Sequence, residues 1–387
     1  MIKITDKHKC CGCTACVNVC PKNCISMSAD KEGFLYPVVD FVKCIDCGLC
    51  EQVCPVLRPV KNETEPLVYA AVNNDESVRL QSSSGGIFTL LAESVLDRGG
   101  VVFGACFDQN WNVVHDYTET KEGLAKFRGS KYVQSHVGNC FIQVKTFLDS
   151  GREVLFSGTP CQVAGLKNYL RKPYSNLFTV DLVCHGVPSP EVWRRYLQEA
   201  VCRVYGIKKK NLINLDEYIS DISFRAKDKG WKKYNIKIIF RNGKVEMMPF
   251  FENSYMNVFL SDLSLRPSCY ACPTKLHHVQ SDITLADFWG VNEIKPDIDD
   301  DKGCGLILIN CEEKLDFLYK MNCQLLQQQL ERVVEYNPCI LSTVNEPANR
   351  DFFWAVYYYK KDFHTAYMAT VSKSVILRVI RKIYRCL

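Results

Sequence analysis

The chain contains no run of eighteen apolar residues, so a membrane-spanning helix is not expected. It has no Gly-x-Gly-x-x-Gly fingerprint and no P-loop, the two familiar glycine-rich phosphate cradles. No Ser-His-Asp order and no His-Glu-x-x-His stretch is present, which sets aside serine-hydrolase and metalloprotease chemistry. Low-complexity tracts are missing too. Net charge is only +5 over 387 residues, and the excess sits at 372–387, where Lys373, Arg378, Arg381, Lys382 and Arg385 stand without an acid. A chain otherwise balanced in charge gives no support to a nucleic-acid partner. The polar start MIKITDKHKC lacks the apolar core of a secretion signal. What is left is an ordinary globular composition, 47% hydrophobic and 24% charged, long enough for two or three domains.

Cysteine is the exception, with 22 in the chain. Without a secretion signal, so many thiols predict a reducing cytoplasm rather than a disulfide scaffold. Eight of them follow one rule. Cys10, Cys13, Cys16 and Cys20 precede Pro21, and Cys44, Cys47, Cys50 and Cys54 precede Pro55. Each set reads C-x2-C-x2-C-x3-C-P, the run by which bacterial ferredoxins hold two [4Fe-4S] clusters. Three cysteines on a tight loop can turn onto one cubane, and the fourth reaches the other. The expected ligand sets are therefore Cys10, Cys13, Cys16 and Cys54, and Cys44, Cys47, Cys50 and Cys20. A pair of structural zinc sites is the competing reading, but zinc seldom uses this triplet-plus-Cys-Pro form. Cys11 and Cys24 fall outside the frame and read as small fillers beside the clusters.

Residues 1–57 thus form a dicluster ferredoxin-type module, with GFLYPVVD at 33–40 as a short extended segment. The proline-bounded polar stretch at 58–66 reads as a linker. Strands are expected at 68–73, 101–108, 113–120, 153–161 and 177–184, and helices within 82–100, at 138–149, after 161 and at 190–205. This alternation points to an α/β region. Antiparallel strands follow at 219–227 and 234–250, with a hairpin signal at Asn242-Gly243. The body is divided at 67–150 and 151–310, and 311–387 is read as a helical tail with a basic amphipathic end. The predicted fold class is α+β: the dicluster module, a mixed α/β body and a helical C-terminal tail.

Four features of the body carry chemistry. Ser83, Ser84, Gly85 and Gly86 precede a helix, where exposed amides favour a phosphate, though many such turns are plain serine-capped helix starts. Gly129, Ser130, Lys131 and Tyr132 form a second turn that could meet a phosphate and a ring, or simply solvate its lysine. Thr159, Pro160 and Cys161 follow a strand, where ligands of α/β folds collect. Finally, Cys269 and Cys272 form a C-x-x-C pair that needs two more ligands, and Cys184 and Cys161 are the best remote ones. Together they could hold a third [4Fe-4S] cluster, with zinc as the competitor because His277 and His278 follow closely. The remaining cysteines, Cys106, Cys140, Cys202, Cys304, Cys311, Cys323, Cys339 and Cys386, lack ligand spacing and read as buried thiols. His185 and His115 read as structural, and Asp287 either orients a ligand or caps a turn.

The dicluster module followed by QSSSGGIFTLL, RGSKYVQS, FSGTPCQVAGL, DLVCHGVPSP, SCYAC and SDITLADFWG resembles the coenzyme F420 hydrogenase/dehydrogenase beta-subunit family, over nearly all of the chain to about residue 310. The chain departs from it near 303–311, where Cys304 and Cys311 stand at positions expected to be threonine-like. The resemblance implies FAD in the body around Ser83–Gly86, Gly129–Tyr132 and Thr159–Pro160. It also supports Cys184, Cys269 and Cys272 as cluster ligands, with Cys161 as the proposed fourth. It implies relatives that reduce the deazaflavin coenzyme F420, or chlorophyll precursors at the expense of ferredoxin, and does not name the substrate here.

Clusters pass single electrons and a hydride acceptor takes two together, so a flavin belongs between them. The expected function is an iron–sulfur flavoprotein oxidoreductase passing electrons between the N-terminal clusters and, through FAD, a hydride acceptor such as F420 or another. Its expected partners are a redox protein or ferredoxin and a catalytic subunit. Two rivals are a non-catalytic electron-transfer subunit and a zinc-and-cluster scaffold. At 372–387, Val375, Ile376, Val379, Ile380 and Ile383 oppose the basic residues, which suits a helix lying on the inner face of a membrane or one docked on the body.

Overall fold

The computed structural model describes residues 1–62, 64–208 and 214–371. In the N-terminal module, β1 (Ile25–Ala29) and β2 (Leu35–Val39) form an antiparallel ribbon. The segment expected to be extended at 33–40 is β2; its partner is a strand of mixed polarity, ISMSA, with little apolar alternation to announce it. Two single-turn helices, Ala15–Asn18 and Leu49–Gln52, each start after a left-handed residue, Thr14 at φ 65° and Gly48 at φ 71°. These reversals curl each cysteine loop back on itself.

The body contributes β3 (Leu67–Asn73), β4 (Val101–Phe107), β5 (Val113–Thr118), β6 (Val154–Ser157), β7 (Leu177–Leu182), β8 (Ile219–Ala226), β9 (Asn235–Phe240), β10 (Val245–Pro249), β11 (Ile283–Asp287), β12 (Gly305–Ile309) and β13 (Cys323–Gln328). Eight of these form one sheet in the order β13-β3-β12-β11-β7-β6-β4-β5. Its centre, β4-β6-β7-β11, is parallel, and both flanks are antiparallel. Parallel strands are covered on both faces, which is why β6 and β7 read as apolar runs rather than alternating ones. On one face Val102, Leu155, Phe178, Val180 and Ile283 pack against Leu91, Ala92 and Val95 of helix Ile87–Asp97. On the other, Val101, Phe103, Val154, Phe156 and Leu177 meet helices Cys140–Asp149 and Pro160–Leu170. Each such leucine or phenylalanine contributes roughly 2 kcal/mol on burial.

The second of these cores also contains Cys11, Cys13, Ala15 and Val53, so the N-terminal module is packed into the body's helical layer. Gly165, on helix Pro160–Leu170, permits this: a Cβ there would lie 2.9 Å from both Cβ and Sγ of Cys13. A buried ion pair also crosses the boundary, with Arg350 Nη1 donating to Glu32 Oε1 at 3.0 Å and Nη2 to Oε2. The stretch read as a linker is itself pinned, since Asn62 N–H donates to His277 O at 2.6 Å.

The strands β8, β9 and β10 form a separate antiparallel sheet, with Gly243 at φ 83° in the expected Asn-Gly turn. Its core joins helices Pro190–Tyr205, Ser254–Leu260, Arg350–Lys360 and Phe363–Val371. The C-terminal stretch is helical where those last two helices lie. Before them, CQLLQQ adds β13 to the main sheet, antiparallel to β3, a strand that the helical reading did not include. The basic amphipathic end expected at 372–387, with Cys386, lies outside the described residues. Among the described residues no helix is long and apolar enough to cross a membrane.

Candidate functional site

The cysteines gather into three nests. Cys20, Cys44, Cys47 and Cys50 line one cavity of about 350 Å³, with Cys24 beside them. This is the crossed set expected from spacing: the fourth cysteine of the first run joins the first three of the second. Cys47 is exposed, so this nest is the outer one. The other expected set, Cys10, Cys13, Cys16 and Cys54, is buried throughout and is termed the inner nest. Burial, then the nearby Cys10, Cys54 and Cys50, push the Cys16 thiol up to about 12, and Cys13 in turn senses Cys16 and Cys54.

The third nest is assembled from separate segments of the body. Cys161 comes from the first turn of helix Pro160–Leu170, Cys184 from just beyond β7, and Cys269 and Cys272 from the turn Pro267–Ala271 and its end. All four line one cavity of about 430 Å³. Val187 N–H donates to Cys269 Sγ at 3.4 Å, and the hydroxyls of Thr159 and Thr274 lie 3.2 Å from Cys161 Sγ and Cys272 Sγ. Burial pushes Cys269 up to about 12. Among the described residues no three His, Cys, Asp or Glu side chains already stand in metal-ligating positions; these half-buried thiols resist ionisation by themselves, and a bound cationic centre would hold them as thiolates. The zinc competitor's histidines are not in this lining; His278 Nδ1 lies 3.0 Å from Val60 O.

Two cysteines, Cys11 read as a filler and Cys339 read as a buried thiol, stand closer to this nest than expected. Cys11 lines the same cavity, and its thiol is near enough to those of Cys13 and Cys161 to interact with both, between the inner and body nests. Cys339 Sγ lies 3.7 Å from His185 Nδ1, whose Nε2 lies 2.6 Å from Asp262 Oδ1. Against the pull of burial, Asp262 and Cys339 hold His185 up to about 9. Neither cysteine has a spacing signal in the sequence.

Next to the body nest lies a larger cavity of about 1040 Å³. Ser83, Ser84, Gly85, Gly86, Gly129, Ser130 and Tyr132 all line it, so the two glycine-serine turns meet there. Ser83 Oγ accepts from Ser130 N–H at 2.6 Å, with Ser130 Oγ at 2.8 Å, tying the turns together. Gly86, at φ 80°, caps helix Ile87–Asp97 without a side-chain acceptor, leaving first-turn amides for an anion. Gly85 is needed for close approach: a Cβ would sit 2.3 Å from Ala71 O. Arg128 adds positive charge at the same end, and Leu182, Leu285 and Leu306 make an apolar wall. Asp287 also lines the cavity, gripped by Arg225 Nη1 at 2.9 Å and Trp231 Nε1 at 3.1 Å.

Three expected contributors lie elsewhere. Lys131 Nζ turns back to donate to Lys126 O at 2.9 Å and Arg128 O at 3.2 Å, and burial pulls it down to about 8. Thr159 caps helix Pro160–Leu170 in a capping box with Gln162, and Pro160 lines the cysteine cavity instead. Arg128, Leu182 and Leu285 lie within the family-like stretches but were not singled out there, and Leu306 carried no motif. An anion-binding end and an apolar end suit a flavin dinucleotide. The cavity and the body nest adjoin along the chain: Leu182 and Val183 line the one, and the next residue, Cys184, lines the other.

The chain matches three family models. A 4Fe-4S dicluster domain matches residues 9–57, the coenzyme F420 hydrogenase/dehydrogenase beta subunit N-terminal model matches 68–140, and its C-terminal model matches 151–329. No curated protein matches the chain by sequence. Among solved structures, the xenon-derivatised F420-reducing [NiFe] hydrogenase complex from Methanosarcina barkeri is similar at 14% identity and a TM-score of 0.46, over 78% of this chain and 96% of that one. With both parts of the family matched in order behind the dicluster domain, the chain belongs to the coenzyme F420 hydrogenase/dehydrogenase beta-subunit family.

Proposed function

We propose that the protein is an iron–sulfur flavoprotein oxidoreductase that passes electrons between [4Fe-4S] sites and, through FAD in the glycine-serine cavity, a hydride-accepting substrate. The observation that carries this reading is the adjacency of the body nest and that cavity through Leu182, Val183 and Cys184. Cys10, Cys13, Cys16 and Cys54 would hold the inner cluster and Cys20, Cys44, Cys47 and Cys50 the outer one. Cys161, Cys184, Cys269 and Cys272 would hold a third. The clusters supply one-electron exchange and FAD the conversion to a two-electron hydride.

The chain's own residues account for the rest. The uncapped amides after Gly86, with Arg128, would bind the FAD diphosphate. Leu182, Leu285 and Leu306 would exclude water from the ring system. Asp287, fixed by Arg225 and Trp231, would orient a ligand N–H at the mouth of the cavity. The exposed Cys47 side is where a ferredoxin or other redox partner would approach, and a catalytic partner subunit is proposed from family membership.

The test is anaerobic reduction of FAD-loaded protein by a one-electron donor protein, followed by the flavin absorbance. The flavin should bleach, and Cys47→Ala should slow bleaching at least tenfold. Protein that takes up iron but no flavin would return the rival reading, an electron-transfer subunit without its own hydride chemistry.

A further inference from the structure

Among the described residues four arginines are buried: Arg79, Arg225, Arg266 and Arg350. Three have a carboxylate partner, namely Asp300, Asp287 and Glu32. Arg266 is the most buried, at 0% exposure, and among the described residues no carboxylate lies within ion-pair reach of it. It projects from the body into the N-terminal module. Nε donates to Cys10 O at 2.6 Å, Nη2 to Leu35 O at 2.9 Å and Nη1 to Gln134 Oε1 at 2.9 Å. The guanidinium lies over the rings of Tyr36 at 4.3 Å and Phe34 at 5.4 Å. These contacts satisfy its donors and leave its charge unbalanced. A buried charge without an opposite one is strongly unfavourable.

Sulfur lies on both sides of it. Nη2 is 3.5 Å from Cys10 Sγ of the inner nest, and the same side chain lines the cavity of the body nest. Four thiolates on a cubane core leave a net negative charge in either oxidation state, and that charge sets the potential. Gly12, at φ 72°, keeps the approach open, since a Cβ there would lie 2.8 Å from Arg266 Nη1.

Resting on the cluster assignment proposed above, we infer that Arg266 is a fixed countercharge shared by the inner and body nests, which raises the reduction potential of both and couples their loading. It is a positioning residue that acts through charge. The outer nest, which does not touch it, is tuned independently.

The test uses full-length, anaerobically reconstituted protein, with iron and sulfide analysis and a redox titration followed by electron paramagnetic resonance. Gln134→Glu places a carboxylate on Nη1 while keeping the arginine, and Arg266→Lys keeps the charge while losing the fork. Gln134→Glu should move the potentials of the inner and body sites to more negative values and the outer site less, while Arg266→Lys stays close to wild type. Iron lost from Gln134→Glu but retained in Arg266→Lys supports the same role, because charge then decides loading. Fully loaded Gln134→Glu with unmoved potentials overturns it, as does loss of iron from Arg266→Lys, which would mark Arg266 as a structural pin. Wild-type protein holding only about eight irons would remove the body cluster, and with it the shared role.

Discussion

At the scale of single residues, Cys269 and His115 give the sharpest expectations. Cys269 sits in the body nest with Val187 N–H on its sulfur, so Cys269→Ala should lower iron from about twelve to about eight per chain while both N-terminal sites stay filled. Iron and sulfide analysis reads this directly. His115 is buried, with Nε2 3.0 Å from Ser157 O, and burial pulls it from 6.5 down to about 4. The unfolded chain therefore binds a proton that the folded chain refuses between those values. Stability is full above pH 6.5 and falls as pH drops towards 4, by about 2 kcal/mol at pH 5. Urea unfolding of wild type and His115→Gln at pH 7 and pH 5 should show this slope only in the wild type. Residues of this kind were unevenly legible. The eight N-terminal cysteines announced themselves by spacing, because a cubane demands it. Cys11 and Arg266 did not, since their partners lie across the boundary between module and body and leave no local pattern.

At the scale of elements, helix Pro160–Leu170 is the floor on which the N-terminal module rests. Gly165→Ala would gain about 1 kcal/mol in helix propensity, but its Cβ would meet Cys13 Cβ and Sγ at 2.9 Å. Overpacking of this kind costs roughly 1–3 kcal/mol, so the variant should melt at a lower temperature and load less iron at the inner nest. An unchanged melting temperature with full iron would show that Cys13 can shift. The parallel strands were readable because burial on both faces makes them apolar runs, and the Asn-Gly hairpin because its glycine, Gly243 at φ 83°, takes the left-handed position that closes it. β13 escaped because CQLLQQ has too few apolar residues to separate period 2 from period 3.6. Thr159 and Pro160 follow a strand that ends at Ser157, as ligand-binding turns do, but the helix begins at Pro160 and turns them towards the cysteine nest.

At the scale of the whole molecule, the module and body share a core, and the polar stretch between them hides this. Shared side chains such as Cys13, Ala15 and Val53 mean that a fragment beginning at residue 58 leaves Val137, Phe141 and Leu166 uncovered. That fragment should be less soluble and melt lower than the full chain. Glu32→Gln should cost about 3–5 kcal/mol, because it removes the buried carboxylate that forks onto the buried Arg350; chemical denaturation against Glu346→Gln, a more exposed partner of the same arginine, separates burial from charge alone. The fold class was legible from alternating elements, and the docking was not, because it depends on glycines at 12 and 165 that look like any others. The central claim, three cluster sites beside one flavin site, rests on stoichiometry. Full-length protein reconstituted anaerobically with iron, sulfide and FAD should hold about twelve irons and about one flavin per chain; about eight irons and no flavin would contradict it.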